Sequence, residues 1–205
     1  MAAAGCKSNS SINSASQEES TPAAARGVEP EAKPRNFDLH PLLTQGDLQV
    51  DPETLQPYTG RVFWLHEGTQ VVSGEYSLRR GRRHGLWTKW HENGQKSAEG
   101  EYRDGEKIGR WTGWHENGQR KLQGEFRDGK QHGLWTFWHE NGQKKDEGEW
   151  QDGKRQGLFT FWHENGQKES EGEFRDDKEH GPWTEWHANG QVSGQGRYVN
   201  GYAQP

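Results

Sequence analysis

From Gly133 to Gly153 the chain reads GLWTFWHENGQKKDEGEWQDG. Two runs rich in aromatic, Thr and charged residues flank Asn141-Gly142, and Asp152-Gly153 closes the second run. Asn-Gly and Asp-Gly between such runs are strong signals for tight hairpin turns, because both turn residues take φ > 0 in the favoured two-residue loop. Nothing in the stretch repeats at helical spacing. It predicts one β-hairpin and the turn into the next.

The same stretch recurs with a period of 24 residues. Gly85, Gly109, Gly133, Gly157 and Gly181 open five units, and Trp87, Trp111, Trp135, Phe159 and Trp183 follow two residues later. Trp90, Trp114, Trp138, Trp162 and Trp186 form a second column. Behind them stand His91, His115, His139, His163 and His187, then Asn-Gly. Residues 58–84 are an imperfect earlier copy, so the repeats run over 58–204 as one degenerate and five full units. A fixed period of this length marks a repeat architecture. Turns that alternate along the chain predict an up-and-down meander.

Register follows by counting outward from the turns. With Asn93-Gly94 as a two-residue loop, Trp87 faces Gly100 and Tyr102 faces Gly85. Each large ring then lies across from a strand glycine. Counting from Asp104-Gly105 pairs Gly100 with Gly109 and Ala98 with Trp111. Trp90 falls on the other face with Thr88 and Leu86, unless a bulge near Trp87 rotates it.

Composition agrees with a thin fold. Of 205 residues only 27% are apolar, yet 11 are Trp and 28 are Gly. The mean hydropathy is -1.32. So little apolar surface cannot fill a thick core, and aromatics must do the packing. One cysteine excludes a disulfide framework and a Cys-rich zinc site. No apolar run is long enough to span a membrane. A net charge of -5 has the wrong sign for a generic nucleic-acid binder. Residues 1–35, rich in Ser, Ala, Glu and Pro, read as a disordered tether. Residues 36–57 read as an extended lead-in covering the first strand.

The units resemble the MORN repeat in its bacterial variant form, G-x-W-x-x-aromatic-x-x-N-G followed by G-x-aromatic-x-D/N-G. Here these are Gly133 to Gly142 and Gly148 to Gly153. The resemblance implies an all-β fold, an elongated single-layer antiparallel meander, and a scaffold or interaction role. Some bacterial members resemble antitoxins, and some eukaryotic relatives are associated with membrane phospholipids. Asp177 in place of a turn glycine and Pro182 before Trp183 depart from the pattern, as an end cap blocking further pairing would.

Candidate functional residues are few. The His column is not a metal site, because equivalent residues two strands apart are ~9.5 Å from each other and zinc ligands lie ~2.0–2.3 Å from the metal. Its expected role is hydrogen bonding at the hairpin end. Catalysis needs singular residues, whereas His, Glu and Trp recur in every unit. The expectation is therefore no enzyme, no metal and no cofactor. Trp87, Trp111, Trp135, Phe159 and Trp183 form a candidate partner face. Arg79, Arg80, Arg82 and Arg83 form a candidate contact for phosphates or anionic headgroups. Ala3-Ala4-Gly5-Cys6 matches the end of a bacterial lipoprotein signal, with the start of the signal lying upstream of Met1. The reading is a non-enzymatic scaffold binding a protein partner at a bacterial envelope, touching membrane only through a lipid on Cys6. A cytosolic antitoxin and a carbohydrate-binding surface module are the alternatives.

Overall fold

In the computed structural model, which describes residues 32–38 and 40–205, the chain is all-strand. Strands β1 (Ala32–Asn36), β2 (Leu43–Gln45) and β3 (Leu48–Val50) precede the repeats. The degenerate copy gives β4 (Gly60–Leu65) and β5 (Val72–Arg79). The full units give β6 (Arg82–Trp90) with β7 (Lys96–Arg103) and β8 (Glu106–Trp114) with β9 (Arg120–Arg127). They continue as β10 (Lys130–Trp138) with β11 (Lys144–Gln151) and β12 (Lys154–Trp162) with β13 (Lys168–Arg175). The last are β14 (Lys178–Trp186) with β15 (Val192–Val199), then β16 (Tyr202–Gln204). Fourteen strands make one sheet in chain order, with β2 and β3 set aside as a separate hairpin. At ~4.8 Å per strand that sheet is roughly 60 Å across.

The meander is antiparallel from β4 to β16, as its turns demand. β1 differs: it pairs parallel to β4. It begins at Ala32, inside the stretch read as tether, while residues 1–31 lie outside the described residues. In the lead-in, Leu42 packs with Tyr58, Val62 and Leu78 over the first repeat strands. Ion pairs Arg35–Asp51 and Arg82–Asp47 fasten it.

The two turn types separate. At Asp104-Gly105 both residues are left-handed, with φ of 51° and 98°, as a two-residue loop requires. At Asn93-Gly94 only Gly94 is, with φ 79°. There Gly94 N–H donates to His91 O and His91 N–H donates to Gln95 O, at 2.9 and 2.8 Å. That is a type I turn closed by a left-handed glycine, a three-residue loop. The extra loop residue is offset by Ser97, which has no opposite partner, so Lys89 still faces Ala98 and Trp87 still faces Gly100.

The opening glycine of each unit is a bulge. Glu101 pairs with Ile108, but Glu99 pairs with Thr112, so β8 carries two extra residues, Gly109 and Arg110. This corrects the pairing of Gly100 with Gly109 and of Ala98 with Trp111; Ala98 faces Gly113. The bulge sets aromatics on both sides of each strand glycine: Gly148 faces Trp135 on one neighbour and Phe159 on the other. The ring lying on the glycine comes from the following strand. A Cβ on Gly100 would fall 2.1 Å from Trp111, and one on Gly124 2.1 Å from Trp135.

These rings pack edge to face along the sheet. Trp111 meets Phe126, Phe126 meets Trp135, Phe159 meets Phe174, and Phe174 meets Trp183, with centroids 5.1–5.6 Å apart. A buried aromatic removes ~150–250 Å² from water, about 4–6 kcal/mol each as an upper bound. That is how a chain so poor in aliphatics holds a sheet. On the opposite face Thr88, Thr136 and Thr160 are buried. Thr136 and Thr160 donate to Glu147 and Glu171, which also pair with Lys144 and Lys168. Because the bulge precedes Trp87, strand alternation keeps Trp90 on this face with Thr88.

Asp177 and Pro182 do not end the sheet, since β14 is paired to both β13 and β15. Asp177 takes the glycine's left-handed place at φ 66° and accepts from Arg155 N–H at 3.0 Å. Pro182 lies in the two-residue bulge of β14, where a missing N–H costs least.

Candidate functional site

The His column is a joint between repeats. His91 Nε2 donates to Trp114 O, His115 to Trp138 O, His139 to Trp162 O and His163 to Trp186 O, at 2.8–3.0 Å. The Asn of each turn reaches the next turn as well: Asn93 Nδ2 donates to Glu116 O, and Asn141 to Glu164 O. At the other edge, Gly105 N–H donates to Arg83 O and Gly129 N–H to Lys107 O. Both edges are thus hydrogen-bonded ladders of turns, which fix each unit on its neighbour.

The expected partner face needs correction. Trp111, Trp135, Phe159 and Trp183 are only 2–7% exposed, while Trp87 is half-buried. A partner cannot reach the four buried rings without displacing those that cover them, so this column is the packing core of the sheet.

The arginine cluster is largely committed internally. Arg79 pairs with Asp104 and Arg82 with Asp47. Arg83 lies over the rings of Tyr76 and Tyr102, 5.1 and 5.3 Å from their centroids. Arg80 sits in the left-handed turn position, its N–H donating to Thr59. Within the cluster only Arg80 is without an ion pair or ring partner among the described residues. Cys6 and Ala3 to Gly5 lie outside the described residues.

What remains accessible on the aromatic face is the row beside the buried column. It runs Lys89, Ala98, Gly113, Leu122, Phe137, Asp146, Phe161, Ser170, Glu185, Gly194, each paired with the next strand's member. Most of it is half-buried or exposed. Unlike the Gly, His and Asn columns, it varies from unit to unit: the first strands carry Lys89, Gly113, Phe137, Phe161 and Glu185, with Phe repeated once, and the second strands a different residue each time. Inside it, Asp146 faces Phe137 on one side and Phe161 on the other. Burial holds the Asp146 carboxyl above the usual Asp range, against the pull of Lys145, His139 and Arg155. Sequence reasoning passed over these residues. The signal was present as the set Ala98, Leu122, Asp146, Ser170, Gly194, a column whose members share no chemistry.

Two hollows touch this row, one of about 150 Å³ against Glu185 and Gly194 and one of about 290 Å³ against Phe137, Lys121 and Lys145. Another, of about 590 Å³, is at the N-terminal lead-in between Pro41, Pro52, Tyr58 and Phe63. One of about 380 Å³ marks the bulge of β10, between Arg110, Glu125, His132 and Leu134. Among the described residues no group of three or more His, Cys, Asp or Glu is placed to hold a metal ion.

Comparison with known families matches the MORN repeat variant over residues 83–104, 107–128, 131–152, 155–176 and 179–200. No curated protein matches the chain. The five matched segments begin in the outgoing strand of each hairpin and end at the Asp of its left-handed turn, or its Asn in the last. Together they cover more than half of the chain, with the bulge glycine, stacked ring and turn in each, and the protein therefore belongs to the MORN repeat variant family.

Proposed function

We propose that the protein is a non-enzymatic binding platform, and that a partner protein engages the variable row of its aromatic face. Repeats of this family are generally protein- or membrane-binding modules. One observation carries the finer reading. The columns that build the fold are held constant from unit to unit, while the accessible row beside the stacked rings is not. Constant positions are what packing and turn ladders require. Recognition of one partner requires positions that differ.

A photo-crosslinking residue at Ser170, on this row, tests the reading in cells of the source organism. Leu134, exposed on the opposite face, is the control position. A discrete protein adduct from Ser170 supports the reading. Adducts from Leu134 alone, or from neither site, refute it. A toxin as the adduct would select the antitoxin alternative, and a glycan would select the carbohydrate one.

The platform is further proposed to be tethered at a bacterial envelope through Cys6. This rests on the small residues Ala3, Ala4 and Gly5 before that cysteine. The mass of the N-terminal peptide from native-locus protein decides it. A diacylglyceryl adduct on Cys6 supports the tether, and an unmodified cysteine refutes it.

A further inference from the structure

We propose that the open edge of β15 at Gly196 is a socket for a Trp or Phe ring, brought in on an extended segment of a partner protein that pairs with Gly194–Gly196. The site is the end of the sheet rather than its face, and it stands whether or not a partner covers the variable row.

The rest of the sheet shows what such a socket holds. Gly100, Gly124, Gly148 and Gly172 each begin a Gly-x-aromatic triplet on the second strand of a unit. All four are buried, because a ring of the following strand lies on each. A Cβ there would stand 2.1–2.5 Å from Trp111, Trp135, Phe159 or Trp183. The aromatic two residues on meets the same ring edge to face. Tyr102 does so with Trp111, Phe126 with Trp135, Trp150 with Phe159 and Phe174 with Trp183, at centroid distances of 5.1–6.2 Å. Gly196-Arg197-Tyr198 is the same triplet. Yet Gly196 is exposed, and the atom nearest its Cβ position is Cε2 of Tyr198 at 3.5 Å. Tyr198 has Trp183 on one side, 6.2 Å away. On the other, where the ring would lie, is a hollow of about 150 Å³ lined by Trp183, Glu185, Gly196 and Tyr198, a volume that accepts a benzene-sized ring.

The backbone beside the socket is open as well. β16 pairs only with Arg197, Tyr198 and Val199, so Val192–Gly196 lie against β14 and have no strand on their other side among the described residues. Val199 and Tyr202 flank the left-handed turn Asn200-Gly201, and residues so placed exchange backbone hydrogen bonds. Alternation then turns the N–H and C=O of Gln195 out of the free edge. In the full units the corresponding Glu99 and Ala98 pair with Thr112 and Gly113, just after the ring-bearing Trp111. Pro205 bars the route by which earlier units deliver that ring. Counted from the turns, it stands where Gly109 stands, in the bulge whose opening glycines have φ from 61° to 84°. Proline is held near about −65° and cannot take that conformation.

Open edges are ordinarily guarded by charge or proline. β1, at the other end of the sheet, carries Lys33, Pro34 and Arg35, whereas Val192-Ser193-Gly194-Gln195-Gly196 carries neither. An unguarded edge beside a ring socket suits strand addition, with backbone pairing for affinity and the socket for selectivity. A second copy of the chain is a poor occupant, because neither Val192–Gly196 nor Ala32–Asn36 holds an aromatic residue.

The test uses the acetylated and amidated peptide Arg110–Glu116, carrying W114T so that Trp111 is its one indole. It is titrated into the isotope-labelled full-length protein and followed by amide NMR. Saturable shifts are expected at Gly194, Gln195 and Gly196. W111A in the peptide should raise the midpoint about 10-fold or more, and Gly196→Val in the protein should do the same. Gly196 is exposed, is not left-handed and has room for a Cβ, so Gly196→Val should keep the urea midpoint of the parent, which separates lost binding from lost folding. No saturable shifts, shifts confined to other strands, or a midpoint unchanged by W111A and Gly196→Val overturns the proposal. Shifts of the same amides on raising the protein concentration without peptide would make a second copy the occupant, and overturn it too.

Discussion

Gly124→Ala isolates the contact on which the fold depends. The added methyl would stand 2.1 Å from Trp135 Cδ2 and 2.3 Å from Cε2, where carbon contacts normally lie at ~3.5–4.0 Å. The ring must retreat about 1.5 Å. It has little room, being 3% exposed, edge-on to Phe126 at 5.1 Å and stacked with Phe137 at 6.0 Å. Overpacking of this severity costs about 3 kcal/mol. Replacing glycine within a strand returns roughly 0.5–1 kcal/mol of chain entropy, leaving a net loss of about 2 kcal/mol. The backbone at Gly124 is not left-handed, so the loss is purely steric. Gly133→Ala is the complementary control, with φ at 71° and nothing near its Cβ, and should lose about 1 kcal/mol through conformation alone. The decisive assay is urea denaturation of a double-mutant cycle. In a Trp135→Ala background the clash is gone, and Gly124→Ala should become neutral or stabilising, a coupling of about 2 kcal/mol or more. If Gly124→Ala destabilises equally in both backgrounds, the stacking of Trp135 on Gly124 is not what holds these strands.

Three further outcomes follow from the same geometry. His139→Ala removes the donor to Trp162 O and should cost about 1–2 kcal/mol in chemical denaturation, whereas His139→Gln, which can still donate, should cost less; equal losses would mean that the ladder bond is not the cause. For Glu171, the hydrogen bond from Lys168 Nζ is the main reason its carboxyl is held below the usual Glu range, with Thr160 contributing. That stability is present at neutral pH and lost as pH falls through the lowered pKa, so Glu171→Gln should be less stable than the parent at neutral pH and equal to it in strong acid; a gap that persists in acid would refute this. Asp146 has the opposite sign. Its folded pKa is raised by burial, so the parent gains stability as pH falls through that pKa. Asp146→Asn should therefore raise the urea midpoint at neutral pH, with the advantage vanishing below the ordinary Asp range; no advantage at neutral pH would show that the carboxylate is already compensated.

Much of this fold is legible in the sequence because it is written five times. Asp-Gly turns, the facing of Trp87 and Gly100, and the separation of the Trp87 and Trp90 columns all follow from turn chemistry and strand alternation. What counting from turns cannot show is a bulge. Gly109 and Arg110 add two residues that no turn requires, and only the unexplained recurrence of glycine at Gly85, Gly109, Gly133, Gly157 and Gly181 hints at it. The same blindness hid the burial of Trp111 and Trp135, because the bulge is what brings the next strand's ring onto each glycine. β1 escaped because its pairing is parallel and set by no turn. The candidate site was missed for a different reason. Repetition draws attention to what recurs, while the row that includes Ala98, Leu122, Asp146, Ser170 and Gly194 is marked by what does not.

A partner seated on the variable row of the aromatic face should shield that row from solvent. Hydroxyl-radical footprinting of the protein inside its source cells, compared with the purified protein, reads this shielding directly. Phe137 and Phe161 should be oxidised more slowly in cells than in isolation, while Leu134 and Leu158 on the opposite face react equally in both. Equal oxidation of Phe137 and Phe161 in both settings, or protection confined to Leu134 and Leu158, would mean that no partner sits on this row.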